Sequence, residues 1–155
     1  VSSIPNRAAT DYRCDDPELA AAFMAAVKEW AERGVYAAQI VTMNVAADGV
    51  PVRRVPRANM VAACQNRTAA TADGCTAYAD DWYRHIVVPD DVVDPVRLHA
   101  VLLHELGHIF AATRDHLPPD VSAVMHPNGT SRVVTDADVA FVCERAPCDD
   151  SADVA

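Results

Sequence analysis

Two histidines four residues apart, with a glutamate beside the first, constrain this chain more than any other feature. In His104-Glu105-Leu106-Gly107-His108 the spacing brings both imidazoles onto one face only if the segment is helical. The flanks supply that helix. Asp94 is placed to cap it, and Pro95 suits its first position. Val101-Leu102-Leu103 gives it an apolar run to bury ahead of the histidines. The pattern predicts a long helix from Asp94 to about Ala112.

Two further helices are signalled. Asp16, Pro17 and Glu18 open the first, whose apolar stripe is Leu19, Phe23, Val27 and Trp30, and Gly34 ends it. Thr135 opens a short last helix with Asp138 three residues on, a variant of the capping box, and the helix carries Val139, Phe141 and Val142 to about Arg145. Between the two long helices, β-like runs fall at Gln39–Val45, Asn59–Cys64, Thr76–Ala79 and His85–Val88, with a weaker N-terminal one near Ala8–Arg13. Asp48-Gly49 and Asp73-Gly74 mark turns. The order predicts a single α+β domain over residues 1–155, with one twisted sheet covered by two long helices.

Composition excludes several classes. The apolar fraction of 51% and charged fraction of 23% are those of a soluble globular protein. No apolar run approaches the roughly 20 residues of a membrane span. A net charge of -9 argues against a nucleic-acid partner, which selects a basic surface. Lys28 is the only lysine, and the Ala, Val and Asp usage suggests a bacterial genome rich in G and C. Cys64 and Cys75 flank a loop-like stretch, and Cys143 and Cys148 are close together. Both pairs can close short disulfide loops, which points to an oxidising compartment. The chain reads as a mature, secreted fragment whose export signal has been removed, and as a monomer.

The chemistry lies in the long helix. Zinc accepts imidazole nitrogens at roughly 2.0–2.1 Å and, in catalytic sites, keeps one position for water. Glu105 stands one residue past the first imidazole, where a carboxylate takes a proton from that water without occupying the metal. A third protein ligand is needed, and Asp115, His116, His126 and Glu144 are the candidates downstream. His116 is favoured, because Ala111–Asp115 is short enough to fold back.

With these residues in place, the stretch His104–Pro127 resembles the metzincin metallopeptidases, and among them the matrixins. That family combines HExxHxxGxxH with a later turn of the form S/A-x-M-x-P, here Ser122-Ala123-Val124-Met125-His126-Pro127. Loosely, the likeness covers nearly the whole chain. It implies a metzincin-like α+β fold, with a mixed sheet of about five strands. It implies an N-terminal subdomain of about residues 1–108 and a C-terminal one of about 109–155. One catalytic zinc would be held by His104, His108 and His116, with Glu105 as general base and Met125 as an apolar floor beneath the metal. Ala58–Cys64 would be the third strand and Thr76–Ala79 the edge strand. A peptide substrate would lie along that edge, in a cleft lined by Thr76, Ala77, Tyr78, His126 and Pro127.

The chain departs from the family pattern after the helix. The family's glycine falls at Ala111 and its third histidine at Arg114, so Asp115-His116 arrives two residues late. The helix is expected to run about half a turn further and bend near Thr113–Arg114. A gluzincin-type peptidase with Glu144 as third ligand, and a zinc-stabilised binding domain without turnover, are the alternatives. Cys14 in Arg13-Cys14-Asp15-Asp16-Pro17-Glu18 looks like a propeptide cysteine switch but abuts the helix cap, which fits a structural cysteine better. His99 is expected at the surface, and His85 in packing.

Overall fold

The computed structural model describes residues 10–43, 49–79 and 82–149, the side chains of 77–84 excepted. Strand β1 (Asp11–Arg13) leads into helix α1 (Pro17–Glu32), followed by the short helix α2 (Tyr36–Gln39) and strands β2 (Thr42–Met43) and β3 (Val50–Val55). Helix α3 (Met60–Cys64), strands β4 (Cys75–Ala79) and β5 (Trp82–Pro89), helix α4 (Pro95–Ala111) and helix α5 (Asp136–Cys143) complete the chain. The strands form one mixed sheet in the order β2-β1-β3-β5-β4. All neighbours run parallel except β4, which pairs antiparallel to β5 and lies at the edge. The fold is α+β, with five strands, two long helices and a short last one.

The helix signals translate directly. Asp16 Oδ1 accepts the backbone N–H groups of Glu18 and Leu19 at 3.0 and 3.1 Å, and Asp94 Oδ1 accepts that of Val96 at 3.3 Å. Thr135 and Asp138 close a reciprocal capping box on α5. That helix ends at Cys143, two residues before the expected Arg145. The stripe Leu19, Phe23, Val27 and Trp30 is buried in one core with Leu102, Leu103, Leu106, Ile109 and Phe110 of α4. The Trp30 ring meets Phe110 edge-on with centroids 6.5 Å apart, and its indole N–H donates to the Leu103 carbonyl at 3.0 Å. Helix α4 is thereby fixed against α1 by apolar burial and by a directional bond.

Four expectations need correction. The run Asn59–Cys64 is helix α3, not a strand; a five-residue apolar stretch carries no period that separates the two, and its alanines favour helix. The strand at that place in the sheet is β3, whose Val50, Val52 and Val55 are buried but whose alternation is interrupted by Pro51, Arg53 and Arg54. Gln39 ends a helical turn, so the strand there begins at Thr42, and Asn44 and Val45 lie outside the described residues. Residues Ala8 and Ala9 of the N-terminal strand, and Asp48 of the first turn, do so too. Finally, α4 does not run on to Thr113: the chain reverses at Ala112, which takes φ 51° and ψ 46°.

Both expected disulfides are present, Cys64–Cys75 joining α3 to β4 and Cys143–Cys148 closing the chain behind α5. Cys14 is a buried free thiol donating to the Asp16 carbonyl, and burial raises its pKa. A left-handed conformation costs an L-residue about 1–2 kcal/mol and glycine almost nothing. Ala112→Gly is therefore expected to stabilise the protein by about 0.5–1 kcal/mol, read as a higher urea midpoint at unchanged slope.

Candidate metal centre

Helix α4 carries His104, Glu105 and His108 toward the mouth of a cavity of about 680 Å³, which His104 and Glu105 line together with Gly74, Val101 and Pro127. Each imidazole is oriented from behind. His104 Nδ1–H donates to the Val124 carbonyl at 2.7 Å, and His108 Nδ1–H donates to the Thr113 carbonyl at 3.0 Å. These bonds leave both Nε2 atoms as lone-pair donors, 3.1 Å apart. Two such nitrogens cannot hydrogen-bond to each other, but they suit a shared cation: two bonds of about 2.05 Å at a tetrahedral angle separate their nitrogens by about 3.3 Å.

The left-handed turn at Ala112 brings the third imidazole. It aims the Thr113 carbonyl back at His108, while Thr113 Oγ1 accepts the Asp115 backbone N–H at 3.1 Å. His116 then stacks against His104, with ring centroids 5.2 Å apart, and meets His108 edge-on at 4.8 Å. One ligand atom from each of His104, His108 and His116 lies within 4.8 Å of the others, the only such group among the described residues. The donor set, three imidazoles of which His104 lines the cavity, fits a zinc ion with one position open. Burial first, and then the neighbouring imidazoles, hold the pKa of His108 well below its ordinary value; His116 is lowered by the same causes.

Other candidates are placed elsewhere. Glu144 is the exposed cap of α5, beside Arg145 at 3.6 Å. His126 is buried with both ring nitrogens engaged, Nε2–H donating to the Pro119 carbonyl and Nδ1 accepting the Asn128 N–H. It shapes the loop rather than lining the cavity. His99 is not a free surface histidine: it is half-buried and bonds Glu29 of α1 at 2.8 Å. His85 Nε2 contacts the Ala63 carbonyl at 2.8 Å.

Glu105 is almost fully buried. Burial raises its pKa, opposed by His104 and by Thr76, whose hydroxyl donates to Oε1 at 2.8 Å. Thr76 thus holds the carboxylate rather than simply lining a cleft. The backbone of Ala77 and Tyr78 runs in β4, and their side chains lie outside the described ones.

Sequence reasoning missed the support beneath the site. Asp138 reads in sequence only as a helix cap, yet it is fully buried and does more. Its Oδ2 accepts the N–H of Val124 at 2.9 Å, the N–H of Thr135 at 2.9 Å and the Thr135 hydroxyl at 2.8 Å. Its Oδ1 accepts the N–H of Met125 at 2.8 Å. The turn that orients His104 is therefore itself held by a carboxylate from α5. Gly107 matters for a related reason: a Cβ there would stand 2.3 Å from Met125 Sδ, so only glycine admits the buried methionine against α4.

These elements define an α+β fold with a mixed five-stranded sheet and three imidazoles brought together at the end of α4. Among solved structures, the chain is similar to that of Myroilysin, with a TM-score of 0.55 over 94% of this chain and 82% of that one at 12% identity. No family model matches the chain, and no curated protein matches it in sequence.

Two outcomes are expected. Asp138→Ala leaves three backbone N–H groups without their acceptor and should cost at least about 3 kcal/mol in urea unfolding of the metal-free protein. The lowered pKa of His108 means that the unfolded chain binds protons first as pH falls below about 6.5. Metal-free protein should then lose stability from about pH 6.5 downward, seen as a falling melting midpoint. Glu105 acts with the opposite sign, its raised pKa costing stability as pH rises above about 4.3, so melts of Glu105→Gln isolate the histidine part.

Proposed function

We propose that this protein is a secreted, zinc-dependent endopeptidase of the matrixin kind. The observation that carries the reading is the convergence of three imidazoles, two with their tautomers fixed from behind, on one point beside a buried carboxylate. In this reading His104, His108 and His116 hold the ion, and Met125 forms the apolar floor below it. When bound, zinc polarises the scissile carbonyl and draws the pKa of water toward about 7.

The chain's own residues then move the proton. Glu105, held by Thr76 and raised in pKa by burial, accepts it on a carboxylate oxygen and returns it to the departing amine. The peptide lies extended along β4, whose outer side is unpaired among the described residues, so main-chain bonds fix its register. The cleft runs between the subdomains of about residues 1–108 and 109–155, with Pro127 on its far wall. Two disulfides, and the lack among the described residues of any helix long and apolar enough to cross a membrane, accord with an extracellular setting.

The test is digestion of casein and a quenched peptide library with and without a chelator. Glu105→Ala should lower kcat by about 10²–10⁴ while retaining zinc. His116→Ala should lose the metal, and Glu144→Ala should keep it. Intact, fully zinc-loaded protein that cleaves nothing would overturn the reading.

A further inference from the structure

The cavity beside Glu105 is also lined by two arginines that differ in their surroundings. Arg97 on α4 pairs with Asp73, and Asp73 in turn receives Arg57 at 3.2 Å, which binds Asp91 at 2.8 Å. This chain of alternating charges spends Arg97 on holding the wall of residues 72–74 against α4. Arg132 lines the same cavity from the opposite wall, is exposed, and has no ion-pair or hydrogen-bond partner among the described residues.

The loop that presents Arg132 is well fixed. Gly129 takes φ 59°, its N–H bonds the His126 carbonyl at 2.8 Å, and the N–H groups of Thr130 and Ser131 both reach the Ala123 carbonyl. The loop thus hangs from the turn that also orients His104, so the backbone that carries Arg132 is held relative to the imidazoles. Three carboxylates line the cavity as well: Asp73 is taken up by Arg57 and Arg97, Glu105 is held by Thr76, and Asp94 faces the N-terminus of α4, where it caps Val96 and is offset by the helix dipole. Val101 and Pro127 give the cavity apolar sides between the two charged regions.

From this arrangement we propose that Arg132 is a specificity-determining residue, selecting substrates that place a carboxylate within one or two residues of the scissile bond. The inference rests on the peptidase reading and narrows it. A guanidinium with five donors and no partner among the described residues recognises a carboxylate by paired hydrogen bonds. An acidic side chain and a free chain terminus supply the same group, and the experiment separates them.

Matched quenched peptides carry Glu or Gln at each position flanking the bond, all with amidated C-termini; a further pair carries Gln with a free or amidated terminus. Wild-type protein should prefer Glu over Gln by about three- to tenfold at one position, a preference that shrinks with added salt. Arg132→Ala should bring that ratio to about one, and Arg132→Glu should favour Lys at the same position. If the free terminus, and not internal Glu, carries the preference, the carboxylate recognised is that of a chain end. A Glu/Gln ratio and a terminus ratio that do not change in either variant overturn the proposal.

Binding of the same peptides to zinc-loaded Glu105→Ala, followed by fluorescence anisotropy, reads the ratios without turnover. Peptides that bind with an Arg132-dependent preference but are not cleaved support the inference while the peptidase reading fails. Protein that neither cleaves nor binds any of them overturns both.

Discussion

The three-histidine group depends on one buried carboxylate that lies outside it. Asp138 gathers the backbone of Val124 and Met125 and thereby aims the Val124 carbonyl at His104. Buried peptide N–H groups must be satisfied, and a carboxylate surrounded by four donors meets that demand on both sides. Helix α5 is short, yet besides giving Val139, Phe141 and Val142 to the core it fixes a ring on α4. Burial of Met125 beneath Gly107 completes the same joint from the apolar side.

The turn after α4 shows how a departure from a family pattern is absorbed. With Ala111 where the family has glycine, the helix is expected to run on and bend near Thr113–Arg114. Instead Ala112, one residue past that position, takes the left-handed conformation, and the resulting reversal puts Thr113 behind His108 and His116 beside both rings. Steric cost at one residue is small beside the gain of closing a hydrogen-bonded turn and burying the flanking segment. The two-residue lag of Asp115-His116 is thus taken up by the path of the turn.

Much of the fold was legible because its signals are local. Caps at Asp16, Asp94 and Thr135 and the stripes on α1 and α4 specify helices within a few residues. Helix α3 and strand β3 were exchanged because a short apolar run has no readable period, and because Pro51 and two arginines obscure a strand whose alternate residues are buried. At the candidate site, the residues with distinctive chemistry, such as His104 and Glu105, could be named in advance. The roles of Asp138, Thr76 and the Thr113 carbonyl could not. They arise from contacts between segments far apart in the chain, and a backbone carbonyl has no letter in the sequence.

The disulfide between Cys64 and Cys75 gives the cavity two walls of unlike durability. One wall, from Val124 to Gly129, is held by hydrogen bonds and burial alone. The other, around Asp73 and Gly74, hangs on a covalent tie closing an eleven-residue separation, and Gly74 lies against Val101 and Glu105 of α4. A reducing environment therefore acts on the shape of the cavity and not on the imidazoles. Opening that bond would leave the wall to the ion pairs of Arg57 and Arg97 with Asp73, while the imidazoles keep the carbonyls of Val124 and Thr113 behind them.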